Sequence, residues 1–123
     1  MTTNRRVLID HFFDAWRSMD AAAVAAFFTD DAVYHNIPME PIVGRDAIEA
    51  TVAGWLKSMK SIDFRFNHVL VDGDVVLMER CDIMPTKSGD AELPVMATLE
   101  FDGDKIRVWR EYFDLGQMRA LTD

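Results

Sequence analysis

The spacing of apolar residues changes once along this chain, from three and four to two, and that change constrains the fold more than any other feature. From Thr3 to Trp16, the residues Leu8, Phe12, Phe13 and Trp16 recur at helical spacing and make one apolar stripe. Asp20 is placed to cap a second helix, Ala21 to Phe28, and Thr29-Asp30-Asp31 reads as a polar turn. Ala32 to Asn36 is a short extended segment, closed by Pro38 and Pro41. A third helix is expected from Arg45 to Ser58, entered through Gly44, with Ile48, Val52, Trp55, Leu56 and Met59 on its inner face. Beyond it the pattern alternates. Ile62, Phe64, Phe66, His68 and Leu70 alternate with Asp63, Arg65, Asn67 and Val69, and Asp72-Gly73-Asp74 turns the chain into a strand from Val75 to Met84. Thr86 to Asp90 reads as a polar turn. Leu93, Val95, Ala97, Leu99 and Phe101 then share a face, and Asp102-Gly103-Asp104 turns into a last strand, Lys105 to Asp114. The tail, Leu115 to Asp123, is compatible with a short helix. Helices followed by hairpin-linked strands predict an α+β architecture, and 123 residues fit a single domain, 1–123.

Thirteen basic against twenty-one acidic residues give a net charge of −8. That field repels phosphate backbones and anionic lipid, so nucleic acid and membrane are not expected partners, and a neutral or cationic ligand is favoured. The single cysteine, Cys81, excludes an internal disulfide and a cysteine metal site, which suits a reducing cytoplasm. The N-terminal residues lack a signal-peptide pattern, and no run approaches the roughly 20 apolar residues of a membrane span. The expected location is cytoplasmic.

Function is carried by polar residues that break the apolar pattern. Residues two apart on a strand share a face. One face of the expected strand Val75 to Met84 carries Val76, Met78, Arg80, Asp82 and Met84, and the other carries Val75, Leu77, Glu79, Cys81 and Ile83. Both faces are largely apolar, which predicts burial on both sides and makes Arg80 and Asp82 charges set in an apolar stripe. Buried charges are costly unless paired. A structural ion pair at the sheet rim explains them as well as a functional site does. On the last strand Trp109, Glu111 and Phe113 share a face, so a carboxylate sits between two aromatic rings; a solvated Glu111 is the competing reading. Tyr34 and Asn36 face one way and His35 the other, and a phenol with a carboxamide can hold a water or an oxygenated ligand.

Three clusters, Tyr34-His35-Asn36-Ile37-Pro38, Glu79-Arg80-Cys81-Asp82 and Trp109-Arg110-Glu111-Tyr112-Phe113-Asp114-Leu115, resemble the motifs of the limonene-1,2-epoxide hydrolase family in order and approximate spacing. Gly44-Arg45-Asp46-Ala47-Ile48 and Met59-Lys60-Ser61-Ile62 are similar too, so the resemblance runs from about Val33 to Leu115. It implies a curved, mainly antiparallel sheet packed on three N-terminal helices and forming a conical pocket, the SnoaL-like fold of nuclear-transport-factor-2-like proteins. It implies a homodimer. It also implies residue roles: Asp82 as the acid that protonates the epoxide oxygen, Arg80 between two catalytic carboxylates, and Tyr34 and Asn36 positioning the water. Glu111 stands where the family usually has Asp, as the base. The side chain is one methylene longer, and misplacements of about 1 Å can cost around 100-fold in rate.

The chemistry is coherent. Opening an epoxide near neutral pH needs a proton for the leaving oxygen and a base for the water, so one carboxyl group must start protonated and the other ionised. A guanidinium allows two carboxylates and one proton to share an apolar site, and the proton belongs to the pair. Water attacks directly, so no metal or organic cofactor is required. Met78, Phe64, Phe66, Leu99, Trp109 and Phe113, with Trp55 and Met39, are the candidate apolar wall for the substrate; each is also an ordinary core residue type. His68 alternates with inward aromatics and can line the pocket or be a satisfied core residue. His11 is assigned no role, and Cys81 points away from the Arg80 face as a small core residue. Two other readings remain open: a ketosteroid-isomerase-like or polyketide-cyclase-like enzyme on the same fold, and a non-catalytic small-ligand-binding dimer module.

Overall fold

The computed structural model describes residues 3–121. Helix α1 (Arg5–Arg17) opens where the Asn4 side chain accepts from the backbone N–H groups of Arg6 and Val7, and buries Leu8, Ile9, Phe12, Phe13 and Trp16. Helix α2 (Ala21–Ala25) is capped by Asp20, as its sequence predicts, but ends three residues early. The reason lies in the next element. Strand β1 (Phe28–Asn36) begins by pairing Phe28 with Ile106, so tertiary pairing takes Phe28 and the expected turn Thr29–Asp31 into the sheet. The register slips between Phe28 and Val33, and the polar residues sit in that irregular, outward stretch, where Asp30 pairs with Arg45 at 2.5 Å.

Strand β2 (Ile42–Val43) leads through Gly44 into α3 (Arg45–Ser58), the boundaries the sequence predicts. Ile48, Val52 and Leu56 are buried; Trp55 and Met59 are half-buried at its edge. Strands β3 (Asp63–Asp72), β4 (Val75–Thr86), β5 (Gly89–Asp102) and β6 (Lys105–Tyr112) follow, and the tail forms α4 (Leu115–Leu121). The expected tail helix extended to Asp123, and its last two positions lie outside the described residues. Gly73 and Gly103 at the two Asp-Gly-Asp turns both have φ 59°, a region that disfavours side chains, which accounts for glycine there. The turn after β4 is tighter than the expected Thr86–Asp90, because Thr86 pairs with Gly89 across two residues.

The six strands order as β2-β1-β6-β5-β4-β3. All neighbours are antiparallel except β1 and β6, which are parallel. That parallel pair seats the extended segment beside the last strand, a placement no local pattern encodes. The core joins one face of the sheet to α1, α2 and α3, with half-buried Met118 of α4 packed at its edge. Leu93, Val95, Ala97, Leu99 and Phe101 are all on that face and buried, as their alternation requires.

Two expectations fail on the strands. His68 does not line the interior: a bulge between Phe66 and His68 adds one residue, which flips the alternation so that Val69 turns inward while His68 and Leu70 are exposed. Burial of β4 on both faces also fails, since Val75, Leu77 and Glu79 are exposed and Cys81 alone of that run is buried. Among the described residues no helix covers the outer face there. Among the described residues no helix is long and apolar enough to cross a membrane.

Candidate active site

Neighbouring strands bring the predicted polar residues together. In one row across the sheet stand Asn36 of β1, Glu111 of β6, Ala97 of β5 and Met78 of β4; the next row holds Tyr34, Trp109, Leu99 and Val76. Arg80 lies two residues beyond Met78 on the same face. Its side chain crosses β5 to reach β6, and the small Ala97 opposite Glu111 leaves the path open. Arg80 Nη1 donates to Glu111 Oε2 at 2.7 Å, and Arg80 Nη2 donates to Glu111 Oε1, a fork on fork. Arg80 Nε donates to Asp82 Oδ1 at 2.8 Å, and Nη2 to Asp82 Oδ2 at 3.3 Å. One guanidinium thus holds two carboxylates from two strands.

The surroundings are aromatic. The Arg80 guanidinium carbon lies 5.0 Å from the Phe13 ring centroid, 5.7 Å from Phe64 and 5.9 Å from Trp109. Tyr34 stacks on Trp109 at 4.2 Å and 7°, and Trp55 meets Tyr34 edge-on. Arg80 is 2% exposed and Glu111 4%, whereas the Asp82 side chain keeps 14% of its surface in solvent. Protons therefore exchange with bulk water at Asp82 more readily than at Glu111.

Burial pushes the Glu111 carboxyl above its ordinary range; the Arg80 charge and hydrogen bonds pull it back, and Asp82 adds to the rise. Burial would lower the Arg80 pKa, but Asp82 and Glu111 outweigh it, so the guanidinium is held charged still more firmly than usual. The Tyr34 phenol is raised well above its usual value by burial and by Glu111, partly offset by Arg80 and by a hydrogen bond with Asn36, and so stays neutral. Two acids, one fixed cation and a neutral phenol share one apolar enclosure. Such a group can hold one labile proton and pass it across a small bound molecule.

Met78, Phe64 and Trp109 all lie beside the Arg80 guanidinium. The Met78 sulfur accepts from Arg80 Nη1 at 3.6 Å. Phe66 is half-buried and packs on Phe13, while Leu99, beside Trp109 in register, is fully buried core. Phe113, Trp55 and Met84 are half-buried and pack against the core. Met39 sits in the turn after β1, its carbonyl oxygen 2.9 Å from His35 Nε2, which holds His35 away from Tyr34 and Asn36. Sequence reasoning missed Phe13, read only as helix stripe, and Ala97, whose signal is a lone small residue among Leu93, Val95, Leu99 and Phe101. Side chains close over Arg80 and Glu111 in this structure. Two shallow surface depressions, of about 260 Å³ beside Phe27 and Lys105 and about 240 Å³ beside Met19 and Lys57, include no member of it. Among the described residues no group of three His, Cys, Asp or Glu side chains is arranged to hold a metal ion.

Fold and site together define a small α+β protein with a carboxylate–guanidinium–carboxylate chain buried on the inner face of a mixed six-stranded sheet. Residues 9–109 match the SnoaL-like domain, and the chain belongs to that family. It is 28% identical over 110 residues to the epoxide hydrolase EphG of Mycobacterium tuberculosis, covering 89% of this chain and 73% of EphG. A structure of an LEH-like epoxide hydrolase from Mycobacterium tuberculosis is similar with a TM-score of 0.81 at 26% identity, covering 97% of this chain and 89% of that one. A protein of ketosteroid isomerase-like fold from Catenulispora acidiphila, in complex with trimethylamine, has a TM-score of 0.82 at 19% identity, over 94% and 91% of the two chains, and shows the shared fold. The resemblance of the motifs and the fold expected from them agree with these relatives.

Proposed function

We propose that this chain is a cofactor-independent hydrolase that opens a small apolar, terpene-like epoxide to a vicinal diol. The observation that carries the reading is the single guanidinium of Arg80 holding Asp82 and Glu111 inside an aromatic enclosure. Glu111 takes a proton from a water held by Tyr34 and Asn36. The water oxygen bonds to one epoxide carbon, the carbon–oxygen bond on that side breaks, and Asp82 protonates the leaving oxygen. One proton is removed and one delivered, so Arg80 sees no change in total charge across the step. The acid is the carboxyl group with access to solvent, and the base is the buried one on β6 beside Tyr34 and Asn36, held ionised by the fork of Arg80. Substrate enters past Asp82, the member of the trio that keeps access to solvent.

The test is diol formation from terpene, cyclohexene and styrene epoxides in heavy-oxygen water. One-step attack puts solvent oxygen into the diol in the first turnover. Turnover of none of them, with double-bond migration in an unsaturated ketosteroid instead, moves the assignment to the isomerase reading.

The outer face supports a homodimer. Leu70 is 67% exposed, Leu77 48%, Met96 53% and Tyr112 47%, and they occupy paired positions on β3 to β6. Single apolar residues on a surface are ordinary, but a contiguous patch across four strands is an association surface. A second copy of the chain matches it by symmetry. Leu77→Asp with Met96→Asp is expected to convert a dimer to a monomer in sedimentation velocity. A wild-type chain that sediments as a monomer at high concentration removes this proposal.

A further inference from the structure

Trp109 is 1% exposed, and among the described residues no acceptor meets its indole N–H. A buried donor left without an acceptor costs about 1–3 kcal/mol, and native interiors contain few of them. The ring faces are spoken for. Tyr34 stacks on Trp109 at 4.2 Å, and Phe12 meets it edge-on at 5.0 Å. The polar edge borders Glu111, two residues along β6. It is near enough to favour the ionised carboxylate, but it lacks the geometry of a direct hydrogen bond. Both Glu111 oxygens already accept from Arg80, and each keeps a second lone pair.

We propose that the Trp109 indole N–H donates to the oxygen of the water that Glu111 deprotonates, and so fixes that water between β1 and β6. The assignment rests on the hydrolase reading. A water has two lone pairs and two protons. Donation from Trp109 fills one lone pair and leaves the other for the epoxide carbon, while Glu111 accepts one proton and the Tyr34–Asn36 pair takes the other. As the proton leaves, charge grows on the water oxygen, so the bond from the indole strengthens toward the transition state and lowers the barrier. The same N–H supports the ionised base. The titratable and charged groups facing Glu111 are Arg80 and Asp82 of β4 and Tyr34 of β1.

Trp109→Phe keeps a ring against Tyr34 and removes the donor. The expected loss in kcat is about 100-fold, as for removal of one preorganised donor. The acid limb of the pH profile should move to higher pH, because the Glu111 carboxylate loses a group that favours its ionised form. Trp16, also a buried indole with no acceptor among the described residues, lies on α1 with its ring 6.0 Å from Trp109 and plays no part in the reaction; Trp16→Phe is the control, with kcat and acid limb unchanged. Trp109→Phe with wild-type kcat and acid limb overturns the proposal. The indole nitrogen–proton resonances of the unaltered chain decide it without activity. A Trp109 signal with a cross-peak to water that follows the titration of Glu111, and stops following it in Glu111→Gln, supports the donor even if no epoxide is turned over or Trp109→Phe fails to fold. A signal with neither property overturns it, whatever the fate of the hydrolase reading.

Discussion

Glu111→Gln is expected to lower turnover of epoxide to diol by about 10²–10⁴-fold while the chain stays folded. The amide cannot accept the water's proton, and the loss does not stop there. Two carboxylates and one guanidinium carry one negative charge in excess, which is why one proton stays within the trio. With Gln at 111 that excess disappears, Asp82 pairs with Arg80 as a plain carboxylate, and the acid is lost with the base. Asp82→Asn should fail for the mirror reason. The double variant should then be little slower than either single one, since the two groups act as a unit. Rates measured at saturating substrate, beside thermal unfolding curves, check this. Variants that keep wild-type turnover would end the proposed mechanism.

Arg80→Met is expected to destabilise the fold by about 3–5 kcal/mol near neutral pH, because the buried Glu111 and the partly buried Asp82 lose the cation that pairs them. Its dependence on pH separates this from lost packing. Glu111 titrates above its ordinary range in the folded chain, so it contributes stability that is complete below the ordinary carboxylate pKa and is lost as pH rises through the folded value. Arg80 is what holds that folded value down. Without it the value rises further, and the loss extends to higher pH. The deficit of Arg80→Met against wild type in urea unfolding should therefore shrink as pH falls from about 8 to about 5. A deficit of constant size across that range would mean that packing of the arginine stem, not its charge, is what the fold uses.

The elements were legible because each has a local cause. Asp20 and Asn4 cap helices through their own side chains, Gly44 opens α3 where its sequence says, and Gly73 and Gly103 sit at turns that need positive φ. Alternation placed Leu93 to Phe101 inward and put Tyr34, Asn36, Trp109 and Glu111 on usable faces. Misreadings fall where pairing overrides local preference. Thr29 to Asp31 is polar and turn-like, yet β6 draws it into a strand. His68 is one residue past a bulge that no composition marks, and the faces beyond it are exchanged.

The residues of the candidate site were therefore written in the chain, and their meeting was not. Arg80 and Asp82 stand two apart on one strand, so their pairing needs only the strand's period. Glu111 joins them because β5 separates β4 from β6 and presents Ala97 at the crossing, and Tyr34 and Asn36 join because β1 runs parallel to β6. Periodicity acts over a few residues and settles which way a side chain faces. Strand order is settled by burial of the whole apolar face at once, so only the tertiary structure could bring one cation between two acids.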